Sequence, residues 1–272
     1  MDQWRFIYDP PTNGARNMAI DDAILTAVAA GAVPPTLRFY LWKPACLSLG
    51  YGQRAREADL DRLHERGWEI VRRPTGGRAI LHRRELTYSL ALPIEHPIAA
   101  GGIIESYRRI SAALLGGLRA LGVQADADRM ADGAPITPVC FETPSHYEIA
   151  VDGKKLIGSA QVRRQGGILQ HGSLPLTGDI ADICDGLVYP DEAARAAAKL
   201  DVRAHAATLV DVLGGGVGCP PVKSLIAAHI SAAFGVTYGE RSTSRDLTPD
   251  ERAQVERLER EVYGNPEWTF RR

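Results

Sequence analysis

The sequence predicts an α+β fold, and three features of its hydrophobic pattern support that prediction. Short segments in the first third of the chain alternate between apolar and polar residues, which is typical of half-buried strands. From Ile103 to Leu121 the apolar residues instead recur every three or four positions, as they do on one face of a helix. The last third of the chain is rich in alanine and is predicted to be mainly helical.

The first half of the chain is predicted to consist mainly of strands with helices between them. Asn17 is expected to cap a helix over 17–28, because its side chain can accept a bond from the free amides of a helix start. The strand that follows, 37–41, is expected to pair with 46–50. A second helix is expected at 57–66. Three further strands are predicted at 68–72, 79–82 and 86–92.

A hairpin is the clearest prediction for the second half. Asp152-Gly153 is typical of a two-residue turn, and it separates candidate strands at 147–151 and 156–162. A further strand is expected at 168–174. The remaining helices are predicted at 191–200, 204–213, 221–234 and, after a capping box at Thr248, near the C-terminus.

The composition describes a globular protein with a sizeable core. The chain has 272 residues, 45% of them apolar, and a formal net charge of −1, so we expect a single domain over 1–272. This near-neutral balance favours neither nucleic acid nor a membrane as a partner. No apolar run approaches the ~20 residues of a membrane-spanning helix, and no signal peptide is recognisable, so a cytoplasmic location is expected. Cys46, Cys140, Cys184 and Cys219 lie far apart with no C-x-x-C pair, which predicts neither a disulfide framework nor a metal site.

Cys140 and the lysine pair of the hairpin are candidates for catalysis. Cys140 lies on a proline-rich segment that stays out of a helix and could fold back toward Lys154 and Lys155. The thiolate is the nucleophilic form of cysteine, and a free thiol has a pKa of about 8.5. An ammonium that lowers this pKa by about 2 units contributes roughly 2.7 kcal/mol and makes the thiolate the major form at neutral pH. The alternatives are a buried structural cysteine and solvated lysines.

A second candidate site is the loop RRPTGGR, residues 72–78, between two predicted strands. Paired glycines let a backbone approach a ligand closely, and arginine binds carbonyl or phosphate oxygens. The loop has neither the ending of a P-loop nor the spacing of a dinucleotide site. The alternatives are an ordinary hairpin loop and, for the nearby His82, a structural role. The arginines expected to form a basic docking surface for an acidic partner are Arg72, Arg73, Arg78, Arg83 and Arg84.

Two segments of the chain resemble the biotin/lipoate protein ligase superfamily. RRPTGGRAILHRRELTYSL resembles its signature loop and following strands, and GKKLIGSAQ resembles its lysine-bearing strand. The similarity runs from Thr36 to the C-terminus with both motifs in the expected order. The segment from Cys140 to Glu148, CFETPSHYE, resembles the cysteine-dependent octanoyltransferase branch, the LipM type. The ATP-using ligases usually carry a third glycine where this sequence has Arg78, and an asparagine-aspartate pair near residues 145–148.

The resemblance implies a mixed β-sheet flanked by helices, the fold of the biotin/lipoate protein ligase catalytic domain. Within the single domain it implies a catalytic core over 33–238 and a C-terminal helical tail over 239–272. The implied reaction is transfer of an octanoyl group from octanoyl-acyl carrier protein to a lysine of a lipoyl domain, with glycine cleavage H protein as the favoured acceptor. No cofactor, ATP or metal is implied, because a thioester is already activated.

The resemblance also implies roles for individual residues. Cys140 would carry the octanoyl thioester, and Lys155 rather than Lys154 would lower the pKa of its thiol. The implied substrate-binding residues are Arg73, Thr75, Gly76, Gly77, His82, Gly158 and Ser159. The alternatives are an ATP-dependent lipoate-protein ligase, an octanoyl amidotransferase acting between lipoyl domains, and a non-catalytic carrier-binding protein. Acceptor range, acyl-chain length and oligomeric state are left open by the residues.

Overall fold

The structure is a computed structural model that describes residues 4–127, 148–214, 223–235 and 246–272. These residues form nine strands, which are β1 (Arg5–Tyr8), β2 (Thr36–Tyr40), β3 (Cys46–Leu49), β4 (Glu69–Arg72), β5 (Ile80–His82), β6 (Glu85–Pro93), β7 (Ile149–Val151), β8 (Lys154–Arg164) and β9 (Gly167–Pro175). They also form eight helices, which are α1 (Gly14–Ala29), α2 (Leu60–Glu65), α3 (Ile103–Ala120), α4 (Glu192–His205), α5 (Leu209–Val212), α6 (Lys223–Ala233), α7 (Pro249–Leu258) and α8 (Pro266–Thr269).

Six of the strands form one mixed sheet in the order β1-β2-β6-β9-β8-β7. Only β1 and β2 run parallel in it, and every other neighbouring pair is antiparallel. The β7–β8 hairpin turns through Asp152 and Gly153, whose φ values of 50° and 75° suit the two-residue turn that this dipeptide predicts. The predicted hairpin is therefore confirmed.

Helices cover both faces of the six-stranded sheet. On one face α3, which is backed by α6, packs Ile110, Leu114 and Leu118 against Leu90 and Leu92 of β6. On the opposite face α1 lies across β6 and β9, and α7 packs on α1. This arrangement confirms the expected mixed sheet flanked by helices. Within the described ranges, no helix combines the length and the apolar character that crossing a bilayer requires.

The remaining three strands form a separate sheet in the order β4-β3-β5. The expectation that 46–50 pairs with 37–41 is therefore wrong, because β3 pairs with β4 in parallel and with β5 antiparallel. The chain between β2 and β3 does not make a tight turn. Trp42 pairs with Thr12, and Pro44 has no amide hydrogen to offer a ladder. Alternation identified both strands, but it carries no information about their partners.

The first helix begins a turn earlier than predicted. Asn13 is its N-cap, and its side chain accepts a hydrogen bond from the amide of Arg16. Asn17 lies fully buried inside the helix, and its amide donates to the carbonyl oxygens of Thr12 and Leu41. The prediction of an Asn17 cap is wrong because two asparagines lie one turn apart, and either could cap a helix by its residue type alone.

The C-terminal segment is hydrogen-bonded to β4 of the three-stranded sheet. The predicted capping box is confirmed, since the amide of Glu251 donates to Thr248 Oγ1 and the Glu251 carboxylate accepts from the amide of Thr248. Beyond α7, the indole of Trp268 donates to the carbonyl oxygen of Arg72 at 2.9 Å. Arg72 in return donates to the carbonyl oxygen of Thr269, also at 2.9 Å. The last helix thus fixes the end of β4, where the glycine loop begins.

Candidate active site

The glycine loop between β4 and β5 is organised by Arg73. Its buried guanidinium donates to the carbonyl oxygens of Gly76 and Arg78 at 2.7 Å each, and to that of Ser48 at 2.9 Å. Gly77 has a φ of +91°, a conformation that favours glycine, and a Cβ there would lie 2.9 Å from the Arg73 guanidinium. Arg73 therefore fixes the curvature of the loop from inside, while Gly76 and Gly77 remain exposed.

The loop also rests directly on the end of β3. A Cβ on Gly50 would lie 1.9 Å from the carbonyl oxygen of Gly77, so only glycine fits at this position. Arg72 is fully buried and donates to the carbonyl oxygens of Gly50 and Gln53 at 2.7 Å each. The burial of Arg72 and Arg73 removes both from the expected basic docking surface, because their guanidinium groups donate to backbone carbonyls inside the fold.

His82 follows the loop at the end of β5 and faces the large sheet. Its Nε2 lies 2.8 Å from Ser48 Oγ, and its ring stacks on Trp42 with 3.8 Å between ring centroids. Burial lowers the pKa of His82 well below its usual value, and the nearby Arg73 and His171 lower it further. The imidazole is therefore neutral at physiological pH.

A buried polar network connects the loop to α1. Thr75 Oγ1 lies 2.6 Å from His171 Nε2, and His171 Nδ1 lies 3.4 Å from the carboxylate of Asp21. Burial alone would raise the pKa of Asp21, but Arg38 at 2.7 Å, together with His171, lowers it below the usual value. Tyr40 also donates to Asp21 at 2.7 Å. The sequence signal for this network was present, since Arg38 is the one charged residue of β2 and Asp21 lies in the mainly apolar stretch MAIDDAIL of α1.

Arg73 of the loop, His82 and His171 line a small cavity between the two sheets, with a volume of about 10 Å³. Its walls are largely apolar with several convergent polar groups, which is the usual composition of a small-molecule site. The lining residues are Met18, Tyr40, Trp42, Ser48, Arg73, Ile80, His82, Thr87, Ala160, His171, Gly172 and Ser173.

Glu85 is an acid beside this cavity that sequence reasoning missed. Its carboxylate accepts hydrogen bonds from Thr87 and Ser173 at 2.7 Å each. Burial raises its pKa to about 7, although both hydroxyls oppose that rise. The alternation of Leu86 with Tyr88 in β6 marks the apolar face of the strand, and the polar face on which Glu85 lies is buried as well.

Lys155 lies in the hairpin, as expected, and its side chain is buried. The ammonium bonds to the carboxylate of Glu148, which is buried too. Lys154 is exposed, so the two lysines project to opposite sides of the strand. The Glu148 partner belongs to the segment CFETPSHYE, and it therefore places the end of that segment against Lys155.

Gly158 and Ser159 lie further along β8, paired with Ser173 and Gly172 of β9. Ser159 Oγ is 2.8 Å from the hydroxyl of Tyr88. A Cβ on Gly172 would lie 2.7 Å from both the carbonyl oxygen of Gly158 and Ser159 Oγ, so the strands approach closely here. Of the predicted binding residues, the structure brings Arg73 and His82 to the cavity, and Thr75 contacts His171 in its wall. The hydroxyl of Ser159 instead contacts Tyr88, a residue of the core against which α3 packs.

Cys140 lies outside the described residues, and so does Cys219. The other two cysteines are fully buried and form no disulfide. For Cys46, burial raises the thiol pKa well above its usual value, and the nearby Glu69 raises it further. A thiol of this kind is a poor nucleophile. Among the residues the structure describes, no group of three or more histidine, cysteine or acidic side chains could hold a metal ion.

The glycine loop, the cavity and the lysine strand all lie in the part of the chain that matches a known family. Residues 13–231 match the lipoyl protein ligase A/B catalytic domain. The chain belongs to this family. An octanoyltransferase LipM from Kyrpidia tusciae is 41% identical over the full length of both chains, and one from Brevibacillus brevis is 40% identical, also over both full lengths. The expected superfamily and the expectation of a transferase are thereby confirmed.

Solved structures show the same fold. A bipartite lipoate protein ligase from Thermoplasma acidophilum superimposes with a TM-score of 0.80 at 24% identity, covering 99% of this chain and 97% of the other. A lipoate-protein ligase A bound with ATP gives a TM-score of 0.76 at 23% identity, with 99% and 98% of the two chains covered. These similarities confirm the fold expected from the two motifs.

Proposed function

We propose that the protein transfers an octanoyl group from octanoyl-acyl carrier protein to a lysine of a lipoyl domain, through a thioester on Cys140. Octanoyl transfer in lipoate assembly is supported by the full-length relatives named octanoyltransferase, at 41% and 40% identity. That full-length similarity is the observation that carries the proposal. Glycine cleavage H protein is the favoured acceptor.

In the first step the Cys140 thiolate attacks the carbonyl carbon of the carrier thioester. The carrier thiolate leaves and takes up a proton, and the octanoyl group remains on Cys140. Lys155 supports this step in the proposal by holding a positive charge near the thiol. Its burial matters because a charge interaction is stronger away from bulk water, and Glu148 fixes the ammonium at one end of the segment that contains Cys140.

In the second step the amine of the acceptor lysine attacks the octanoyl-Cys140 carbonyl. The carbon–sulfur bond breaks, the amide forms, and one amine proton goes to the departing thiolate. Exchange of one thioester for another is nearly neutral in energy, whereas amide formation makes the second step favourable. No nucleotide is needed, since the octanoyl group arrives activated.

The glycine loop and the cavity hold the acyl group in this proposal. Gly76 and Gly77 are exposed on a loop whose shape Arg73 fixes, so their backbone can approach the acyl chain. Arg73 and His82 are the polar groups of the predicted set that line the cavity, and Thr75 is bonded to His171 in its wall. Preorganised donors of this kind stabilise a developing oxyanion. Gly158 and Ser159 belong to the proposed set through β8, the strand that reaches the cavity at the neighbouring Ala160.

An ATP-dependent lipoate-protein ligase is the second candidate, because a lipoate-protein ligase A solved with bound ATP has the same fold. At 23% identity that similarity supports the fold and not the reaction. An octanoyl amidotransferase would use the same cysteine but would take its octanoyl group from a lipoyl domain.

The donor separates these functions. We expect octanoyl-acyl carrier protein without ATP to octanoylate an isolated lipoyl domain, with a mass increase that disappears when the acceptor lysine is replaced by arginine. Octanoate with ATP is the ligase arm, and an octanoylated lipoyl domain with a second, unmodified domain is the amidotransferase arm. If either of these donors supports transfer while octanoyl-acyl carrier protein does not, the proposed function is wrong.

A further inference from the structure

The two carboxylate oxygens of Glu85 differ in hydrogen bonding among the described residues. Its Oε2 accepts hydrogen bonds from Thr87 and Ser173, both at 2.7 Å. Thr87 in turn accepts a hydrogen bond from the indole of Trp42 at 2.8 Å, so its own hydrogen is directed at Glu85. The other oxygen, Oε1, is buried and has no hydrogen-bond partner among the described residues.

Glu85 Oε1 lies opposite a ring nitrogen of His82 that also lacks a hydrogen-bond partner in the described residues. His82 Nδ1 lies 3.9 Å from Glu85 Oε1, and it too is buried without a hydrogen-bond partner in the described part of the chain. The other ring nitrogen, Nε2, lies 2.8 Å from Ser48 Oγ. Arg73 donates to the same Ser48 oxygen at 3.2 Å. Glu85, His82, Ser48 and Arg73 therefore lie in a row. The His82–Ser48 and Arg73–Ser48 contacts are within hydrogen-bond distance, whereas Glu85 faces His82 Nδ1 across a longer, electrostatic contact of 3.9 Å.

The position of the proton follows from this geometry. Oε2 already accepts two hydrogens, so a proton added to Glu85 is favoured on Oε1, where it faces Nδ1. A neutral imidazole carries only one N–H. When Glu85 is ionised, the preferred His82 tautomer has its hydrogen on Nδ1, toward the carboxylate. When Glu85 is protonated, Nδ1 presents its lone pair to that proton and the ring hydrogen lies on Nε2.

We propose that Glu85 is a positioning residue whose protonation state sets the tautomer of His82 and, through it, the direction of the Ser48 hydroxyl in the cavity. With Nδ1–H, the Ser48 hydroxyl donates to Nε2 and is turned toward His82. With Nε2–H, His82 donates to Ser48 Oγ, as Arg73 does. The Ser48 hydrogen is then free to donate to an oxygen in the cavity that Ser48 and His82 line.

The protonation state of Glu85 changes within an experimentally accessible pH range. Burial raises the pKa of Glu85 to about 7, while the pKa of His82 lies well below its usual value, so His82 stays neutral and Glu85 alone titrates. The charged and titratable groups that act on the pair are Arg73 and His171 on His82, Lys223 on Glu85, and Tyr40, whose pKa Glu85 raises. Lys223 lowers the Glu85 pKa, but by less than burial raises it.

The consequence for catalysis rests on the proposed function. If the cavity oxygen is the carbonyl oxygen of the octanoyl thioester, the free Ser48 hydrogen stabilises the oxyanion, so the state with protonated Glu85 acylates faster. Glu85→Gln should reproduce that state at every pH. The amide oxygen can accept from Thr87 and Ser173, and the amide hydrogens then face Nδ1.

The direct test is ¹⁵N NMR of histidine-labelled protein, with the His82 signal assigned by its loss in His82→Gln. We expect wild type to change from Nε2–H to Nδ1–H as pH rises through about 7, and Glu85→Gln to keep Nε2–H at pH 8. Glu95→Gln, at an exposed glutamate just beyond β6, should behave like wild type. A wild-type tautomer that is constant from pH 5.5 to 8.5, or a Glu85→Gln protein with Nδ1–H, would overturn the proposal.

The rate of enzyme acylation supplies the second readout. At pH 6 Glu85→Gln and wild type should acylate at similar rates. At pH 8 only about a tenth of a group with a pKa of about 7 is protonated, so Glu85→Gln should acylate up to about tenfold faster than wild type. Equal rates at both pH values would contradict the effect on Ser48. Absence of acylation in wild type would instead contradict the proposed function, and the NMR result would still decide the role of Glu85.

Discussion

Lys155 and Lys154 differ in environment although they are adjacent. Lys155 is buried against Glu148, whereas Lys154 is exposed at the start of the same strand. This asymmetry is what a tuning role for Lys155 requires, because a solvated ammonium would be screened by water.

Lys155→Ala is therefore expected to raise the apparent pKa of Cys140 and to slow acyl-enzyme formation. The measurement is the rate of Cys140 alkylation against pH, in a background where the other cysteines are replaced. Lys154→Ala is the matched control and should give the wild-type curve. If the curves of Lys155→Ala and wild type coincide, Lys155 does not tune the thiol.

Glu85 should also leave a signature in protein stability. Its pKa rises from 4.5 to about 7 on folding, so the folded protein binds one more proton than the unfolded chain between these values. The free energy of unfolding therefore falls as pH rises from about 4.5 to about 7, in total by roughly 3 kcal/mol. Glu85→Gln should lack this component and should be more stable than wild type at pH 8. Urea unfolding at pH 5 and pH 8 measures the free energy of unfolding of both proteins. If Glu85→Gln and wild type differ in that free energy by the same amount at both pH values, Glu85 does not contribute the expected pH dependence.

The residues of the site were only partly predictable. The glycine pair and the lysine strand are local motifs, so their positions could be read directly from the sequence. Arg73 could not be recognised as an internal clamp, because its partners Ser48 and Gly76 come together only through the pairing of β3 with β4 and β5. Glu85 was missed for a related reason, since burial of its polar face depends on α1 and the small sheet.

At the scale of elements, the contact between the end of β3 and the glycine loop is the most sensitive point. Gly50→Ala would place a methyl group 1.9 Å from a backbone carbonyl oxygen, which a rotamer change cannot relieve. We expect it to destabilise the protein by about 1–3 kcal/mol and to reduce transfer at least tenfold by displacing the loop. Gly52→Ala is the matched control, because nothing lies within 4 Å of a Cβ there. A Gly50→Ala protein with wild-type melting temperature and activity would show that the loop is not held as described.

Elements with strong local signals were predicted well, and elements defined by tertiary contacts were not. The hairpin at Asp152-Gly153 and the cap at Thr248 depend on residues within four positions of each other, so the sequence contains the whole signal. β1 is only four residues long and exists because it pairs with β2. The partner of β3 was mispredicted because a strand carries its partner's identity only weakly.

At the scale of the whole molecule, one buried ion pair joins the start and end of the described fold. Arg5 of β1 binds the Glu251 carboxylate of α7 through two hydrogen bonds of 2.7 and 2.5 Å, and both side chains are almost completely buried. This pair fastens α7 to the edge of the large sheet. It thereby also supports the C-terminal segment that contacts Arg72 below the glycine loop.

Glu251→Ala is expected to cost about 3–5 kcal/mol of stability, because it leaves the Arg5 charge buried without its carboxylate. Glu256→Ala, on the exposed side of the same helix, should change stability by less than about 0.5 kcal/mol. Denaturant unfolding of both variants measures the difference. Equal midpoints would mean that the pair does not hold α7 to the sheet.

Cys140 is expected to carry the octanoyl group without help from a nucleotide, and intact-protein mass spectrometry measures this. After incubation with octanoyl-acyl carrier protein and no ATP, the protein should gain one octanoyl group that neutral hydroxylamine removes, since hydroxylamine cleaves a thioester and leaves an amide. Cys140→Ser should gain none, because a serine hydroxyl is a much weaker nucleophile near neutral pH. Cys184→Ala, at a buried cysteine, should gain the group as wild type does. A mass increase that persists in Cys140→Ser, or that appears only with ATP and free octanoate, would contradict a thioester on Cys140.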